Sequence, residues 1–517
     1  MKFIVPMSGQ GSRFIEKGYV DPKPLVKIDN LPIIEHLMKT IPEDWPVVFI
    51  CNEEHLEKTS MRESLEKICP RAEIVSVPVM KKGPVWAVYE ALLTNPNILG
   101  DDENCLISYC DYNMCWDPIR FENFVNRTQC DGAVLCYTGF HPEYIRPTMY
   151  AYVKHIRGKI SDIQEKACYT DDRTKEYASC GAYYFKSGKQ VRYYFNKLLQ
   201  EGPLLNGEGY VSLVYRGLLK DQLDIRVFEI PYFMQWGTPH DVEDYNYWSK
   251  TFESFVKSKF FSEDTNVPQL LMPMAGKGSR FGSKLQKPMI PVMGKEMYKV
   301  ATEYLPKTTQ VTYVVREEFR DKVMKLSPQS HVVSLDEVTE GQAITCMLGA
   351  KNMKKNEPLI VSSCDHGLVW NSQKWTSLLE EDPDVIVVGQ RNYPLAEITP
   401  NSFAYISTNE ENEIDFVSVK KPISDSPRSD LLLVGTFYFK SVKLMEELIQ
   451  ELVEKSIRVN NEFYLDSVVN LAVERKLKVK CFEAEGYLCW GTPDSLNEFN
   501  YWYSYFNGLS RYRDGEY

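Results

Sequence analysis

The sequence has no stretch of 18 apolar residues, which excludes an ordinary membrane-spanning helix. It has no surplus of positive charge either. The net charge is −11, so neither nucleic acid nor an anionic membrane surface is an expected partner, although a local basic site for a phosphate remains compatible with it. Thirteen cysteines occur without a CxxC pair or a Cys/His cluster of zinc spacing; "CDYNMC", from Cys110 to Cys115, has the wrong gap. The opening "MKFIVPMSGQ" lacks a long apolar segment and a cleavage site, so the expectation is a cytoplasmic protein with reduced, mostly buried thiols. Histidine is scarce, at 7 residues, and none belongs to a repeated phrase.

What is present is a repeat. "PMSGQGSRF" begins at Pro6 and "PMAGKGSRF" at Pro273. Further on, "SYCD" and "SSCD" end at Asp111 and Asp365, "NGE" and "NNE" at Glu208 and Glu462, and "QWGTP" and "CWGTP" contain Gly237 and Gly491. Each of these pairs is 254 residues apart (365 − 111 = 254), as are Trp248 and Trp502. Upstream the spacing widens to 264 for Lys23 and Lys287 and to 267 for Gly9 and Gly276, which places insertions in loops. A period this long is a duplicated domain and not a solenoid. The 517 residues divide into domains at 1–258 and 267–517, joined by a polar stretch near Val256–Gln269.

Within each half, apolar runs alternate with amphipathic stretches. "KFIVPM", "PVVFIC", "EIVSVPV", "CLISYCD" and "GAVLCYT" read as strands, and "LLMPMAG", "VTYVVR", "HVVSL", "PLIVSSCD" and "DVIVVGQ" repeat the scheme. Nearly continuous apolar runs suit strands covered on both faces. "LMEELIQELVEKSI" puts Met445, Leu448, Ile449, Leu452 and Val453 on one helical face. The predicted class is α/β: two tandem copies of a Rossmann-like, mostly parallel mixed sheet flanked by helices, with ligands at the carboxyl ends of the strands.

Glycine-rich loops behind a strand can expose backbone N–H groups to a phosphate. Neither phrase is a Walker A motif, since no GK[ST] follows. Phe14 or Phe281 occupies the sixth position of GxGxxG, so the dinucleotide fingerprint also fails. What remains is GxGSRF followed by Lys-Pro at Lys23 and Lys287. An arginine and a lysine beside such a loop suit a triphosphate attacked at its α-phosphorus, where both charges stabilise the crowded anionic transition state. A tight turn with a surface Arg and Lys would look the same in one copy; two copies with matching landmarks weigh against it. Asp111 and Asp365 close apolar strands, where a carboxylate suits magnesium over a phosphate site or, more blandly, caps a loop.

GxGxRF, then KP, then a strand-end Asp, then a late Lys and a WGTP-like turn resemble the nucleotidyltransferases of GT-A-like fold, over nearly the whole of both halves. That resemblance implies transfer of NMP from an NTP to a phosphorylated sugar or related metabolite, release of pyrophosphate, Mg2+ (or Mn2+) as cofactor, and a place in capsule or surface-glycan precursor synthesis. It implies that Met7, Gly9, Gly11 and Arg13 hold the triphosphate, with Gly83 near the base, Lys23 near the α-phosphate and Asp111 on the metal. Lys166 would bind the acceptor phosphate, and Glu165 and Glu208 the acceptor body. In the second half Met274, Gly276, Gly278, Arg280, Gly341, Lys287, Asp365, Lys420 and Glu462 take these places.

Two departures stand out. Gln235 and Cys489 occupy the place where the family often has a second metal-binding Asp. Glu165 is matched by Val419, and "MKKGPVWA" by "VTEGQAIT", so the two pockets are expected to differ in acceptor, base or both. Three readings stay open: two working sites; one working half with a structural or binding partner half; or a glycosyltransferase using "CDYN" as a DXD-like metal site. The halves could also pair within the chain.

Overall fold

The computed structural model describes residues 1–257, 267–282 and 286–513, with the side chains of 256–257 and 508–513 left aside. Most of the expected linker, residues 258–266, lies outside the described residues. The chain divides into two compact units, the first built on Met1–Asn246 and the second on Tyr247–Phe506.

The first unit is organised by a mixed sheet in the order Glu73–Val77, Val47–Asn52, Lys2–Met7, Cys105–Ser108, Tyr177–Phe185, Gly132–Tyr137, Ile225–Glu229. Beyond it lie Lys159–Glu165 and Ala151–Ile156. The first four strands are parallel. Tyr177–Phe185 then enters antiparallel, between Cys105–Ser108 and Gly132–Tyr137. Successive strand side chains point to opposite faces, and Lys2–Met7 obeys this rule: Phe3, Val5 and Met7 enter one buried cluster, Ile4 the other. Burial on both faces is why this strand reads as an unbroken apolar run.

The second unit has its own mixed sheet, ordered His331–Leu335, Val311–Arg316, Gln269–Pro273, Leu359–Ser362, Leu431–Phe439, Val385–Gln390, Val479–Glu483. The hairpin of Ala404–Thr408 and Ile414–Val419 pairs onto Leu431–Phe439. Helix Val442–Glu454 buries Met445, Leu448, Ile449 and Leu452 in the same cluster as Phe437 and Phe439. Val453, expected on that face, is half-buried at its edge.

Each unit also carries one small two-stranded ribbon, which sets the position of its strand-end aspartate. Tyr112–Cys115 pairs antiparallel with Tyr232–Gln235, with Tyr112 opposite Gln235. His366–Val369 pairs with Gly486–Cys489, with His366 opposite Cys489. Each ribbon brings the residue just before its first strand, Asp111 or Asp365, against the turn just after its second, at Gly237 or Gly491. The two aspartates were expected to close strands. They stand instead in the short connection between strand Cys105–Ser108 or Leu359–Ser362 and the ribbon. All thirteen cysteines are free thiols, eleven of them buried. No helix among the described residues is long and apolar enough to cross a membrane.

Candidate active site

In the first unit the chain leaves strand Lys2–Met7 into the glycine loop, whose last glycine, Gly11, is left-handed (φ 69°) and precedes the short helix Ser12–Glu16. A Cβ at Gly11 would lie 3.4 Å from Cβ of Lys23, whereas one at Gly9 would meet nothing within 4 Å. The loop therefore packs on Lys23 at one end and faces open space at the other. Lys23 opens the single turn Lys23–Leu25, where Pro24 sits at a position that needs no N–H donor. Its ammonium lies 2.6 Å from Oδ2 of Asp111 and donates to the carbonyl of Gly237 at 3.0 Å. Burial alone would push that ammonium's pKa down; Asp111, with Cys110 and Asp241 adding, more than offsets it and leaves it raised. Arg13 is exposed, with no hydrogen bond or ion pair among the described residues.

A second group of residues gathers around Lys166. This lysine comes directly after strand Lys159–Glu165 with a left-handed backbone (φ 53°), a conformation that ordinary side chains seldom adopt. Its ammonium donates to the Tyr210 hydroxyl at 3.0 Å, and that hydroxyl donates to Glu208 at 3.0 Å. Glu165 accepts from Ser212 Oγ at 2.5 Å, and burial raises its pKa against the opposing pull of Ser212 and Lys166. Gly83 closes the group: the backbone pairs Gly209 with Lys82 and Val85 with Gly209, tying the Gly83 segment to the Glu208 loop.

The second unit builds matching contacts. Gly278 is left-handed (φ 62°) and its added Cβ would come 3.1 Å from Lys287 Cβ, while one at Gly276 meets nothing. The Lys287 ammonium is 2.5 Å from Oδ2 of Asp365. Burial raises the Asp365 carboxyl, but Lys287 and His366 together hold it well below the usual carboxylate range. Lys420 is again left-handed (φ 60°). Burial lowers its pKa, with Arg280 adding and Asp466 and Glu462 opposing, so Arg280, Lys420, Glu462 and Asp466 share one electrostatic neighbourhood. Its ammonium donates to the carbonyl of Ser402 at 2.5 Å. Met7 and Met274 are buried at or just after the ends of their strands and contribute backbone to the two loops.

Residues 2–205 match the family model described as nucleotidyl transferase. They belong to that family. The match makes residues 2–205 a nucleotidyltransferase domain. No curated protein matches it. Solved structures similar to it include a nucleoside-diphosphate-sugar pyrophosphorylase from Vibrio cholerae RC9, 19% identical, covering 47% of this chain and 99% of its own, with a TM-score of 0.39. Another is the inositol-1-phosphate CTP transferase from T. maritima, 19% identical, covering 47% of this chain and 97% of its own, with a TM-score of 0.38. HddC from Yersinia pseudotuberculosis is 16% identical, covering 46% of this chain and 100% of its own, with a TM-score of 0.35.

Family members of this kind use a divalent ion, and the donor set of the nucleotidyl transferase unit can be tested for one. No group of three His, Cys, Asp or Glu side chains among the described residues is arranged to hold a metal. Asp111 already receives one cation, the Lys23 ammonium. A second carboxylate is near: a Cβ at Gly237 would lie 3.3 Å from Asp111 Oδ2 and 3.6 Å from Asp241 Oδ2. One or two carboxylates completed by substrate phosphates suit magnesium, so these residues fit it.

Sequence reading passed over Asp241. Gln235, in the place of the expected acid, donates to Asp241 Oδ1 at 2.7 Å. Asp241 Oδ2 takes the Thr238 N–H at 2.7 Å while Thr238 Oγ1 takes the Asp241 N–H at 3.3 Å, a reciprocal cap on the next helix. The phrase "GTPHD" carries that T-x-x-D signal. Burial pushes the Asp241 carboxyl up to about 6, with Asp244 adding and the Thr238 and Gln235 hydrogen bonds opposing.

The glycines beside the late loops yield a stability prediction. An added Cβ would lie 2.7 Å from the carbonyl oxygen of Gly209 at Gly83 (φ 84°) and 2.5 Å from the backbone of Phe463 at Gly341 (φ 131°). Gly83→Ala and Gly341→Ala should each destabilise the fold by about 1–3 kcal/mol, through strain and overpacking. Urea unfolding checks this: the midpoint falls and the slope does not change.

Proposed function

We propose that each unit is a nucleotidyltransferase site, the two having arisen by duplication, with domains at 1–258 and 267–517. The observation that carries this is the recurrent Lys–Asp pair, Lys23 with Asp111 and Lys287 with Asp365, each packed under a left-handed glycine. The common strand order of the two sheets supports it.

The reaction is transfer of NMP from an NTP to a phosphorylated sugar or related small metabolite. An oxygen of the acceptor phosphate forms a bond to the α-phosphorus, the bond from that phosphorus to its bridging oxygen breaks, and pyrophosphate leaves with the electron pair. A phosphate is already a nucleophile, so no Ser, Cys or His need attack. The work is positioning and charge stabilisation. Lys23 or Lys287 faces the α-phosphate, Arg13 or Arg280 the triphosphate, and Lys166 or Lys420 the acceptor phosphate. The glycine loops at Gly9 and Gly276 leave room for the nucleotide. Bound Mg2+ or Mn2+ would neutralise triphosphate charge, and Asp111 and Asp365 are the residues to hold it. We assign the protein to the cytoplasm and its product to surface-glycan or capsule precursors.

Calorimetric titration with non-hydrolysable CTP, UTP, GTP and ATP analogues plus magnesium tests this without knowledge of the acceptor. Two nucleotides bound per chain are expected. One would leave a single working half, and none would overturn the reading.

A further inference from the structure

Two positions change together between the units. Glu165 ends strand Lys159–Glu165 and is bonded by Ser212, in the first turn of helix Val211–Lys220. At the same 254-residue spacing, Val419 ends strand Ile414–Val419 and Asp466 lies in the first turn of helix Leu465–Glu474. The strand has lost its acid, and the helix facing it has gained one.

The two helix starts are built alike. Tyr210 (φ −92°, ψ 145°) and Tyr464 (φ −91°, ψ 143°) cap them with nearly equal backbone angles. The ammonium groups of Lys166 and Lys420 lie 4.6 and 6.0 Å from the centres of those two rings. A carboxylate two residues after the cap thereby enters the electrostatic neighbourhood of Lys420, at the position matching Ser212, the residue that bonds Glu165 in the first unit. Among the described residues no other side chain donates a hydrogen bond to Asp466, whereas Glu165 has Ser212. A half-buried carboxylate with no side-chain donor keeps acceptor capacity for a ligand. Burial pushes its carboxyl up to about 6 against the opposing pull of Lys420, as that surrounding requires.

We propose that Asp466 is a specificity-determining residue of the second site: with the acceptor's phosphate on Lys420, the Asp466 carboxylate receives a hydrogen-bond-donating head group at the acceptor's other end. The shared chemistry of that head group is a donor, either a hydroxyl or an ammonium. A carboxylate repels phosphate and the lysine attracts it, so the pair also fixes which way round the acceptor lies. This rests on the nucleotidyl-transfer reading of the second unit.

The test uses the full chain carrying Lys166→Met, which removes the ammonium proposed to bind the acceptor phosphate at the first site. It is loaded with magnesium and the non-hydrolysable NTP analogue it binds best, then titrated with glucose 1-phosphate, phosphoethanolamine and methyl phosphate, the last having no donor head group. At least one of the first two should bind, and Asp466→Ala should weaken it by about 10–100-fold, the range for a hydrogen bond to a charged group. Methyl phosphate should not weaken, because losing the carboxylate only removes repulsion from its phosphate, and the NTP analogue should stay within about twofold. Val419→Glu with Asp466→Ser, the first unit's arrangement, should restore binding. Asp466→Asn keeps the side-chain volume and separates the sources: an ammonium ester loses as much as with alanine, a sugar phosphate less. Equal weakening of methyl phosphate, unchanged binding of both donor-bearing esters, or failure of both to bind a protein that holds the NTP analogue would overturn the inference. Failure to hold any NTP analogue would remove the reading beneath it as well.

Discussion

Lys23→Met should lower kcat and kcat/KM for pyrophosphate release at the first site together, by about 10²–10³-fold, the loss expected on removing one preorganised charge from a transition state. Methionine keeps the length of the stem and its packing under Gly11, so the change is confined to the ammonium. That ammonium has two fixed partners, Asp111 Oδ2 and the Gly237 carbonyl, which hold it in place before substrate arrives. A group already oriented costs no reorganisation when charge develops at the α-phosphorus. Asp111 is left without its cation, so the fold should also lose about 1–3 kcal/mol, the cost of an unpaired partly buried polar group. A thermal melt measured alongside turnover separates the two effects. Lys287→Met should act in the same way at the second site, and the doubly substituted chain should have neither activity. Unchanged turnover of Lys287→Met with every NTP would make the second unit non-catalytic.

The sheets were legible because their strands are buried on both faces. Phe3, Ile4 and Val5 divide between two cores and leave no polar position to break the run. The long antiparallel strands Tyr177–Phe185 and Leu431–Phe439 were not singled out, since nothing in an apolar run fixes its direction or neighbours. Of the residues chosen from motifs, the structure brings Lys23 to Asp111, Lys287 to Asp365, and Lys166 to Glu208 through Tyr210. Asp241 escaped because it belongs to a helix cap, a role that gives an acid there an ordinary structural reason. Asp466 escaped for a related cause. Read along the chain, Val419 looks like the loss of a carboxylate, and only the packing of a helix start against the lysine and tyrosine places another beside Lys420.

Asp111→Asn and Asp365→Asn should each cut magnesium-dependent pyrophosphate release at their own site, but unequally. Asparagine retains an oxygen for the lysine and gives up the negative charge that a hard divalent ion prefers. In the first unit Asp241 lies beside the same Gly237 as Asp111 and can partly take over that role. In the second unit the corresponding residue is Ser495, which exchanges a hydrogen bond with Thr492 and carries no charge. Asp365→Asn should therefore raise the magnesium concentration for half-maximal turnover by well over about tenfold, and Asp111→Asn by less, each tenfold step being about 1.4 kcal/mol of ion binding. Magnesium titrations of each variant, with the other site disabled by Lys287→Met or Lys23→Met, give the two numbers directly. If adding Asp241→Asn to Asp111→Asn brings the first site down to the level of Asp365→Asn, the residual metal dependence belongs to the capping aspartate. If the added substitution changes nothing, Asp241 serves the helix alone and the phosphates of the substrate hold the ion with Asp111.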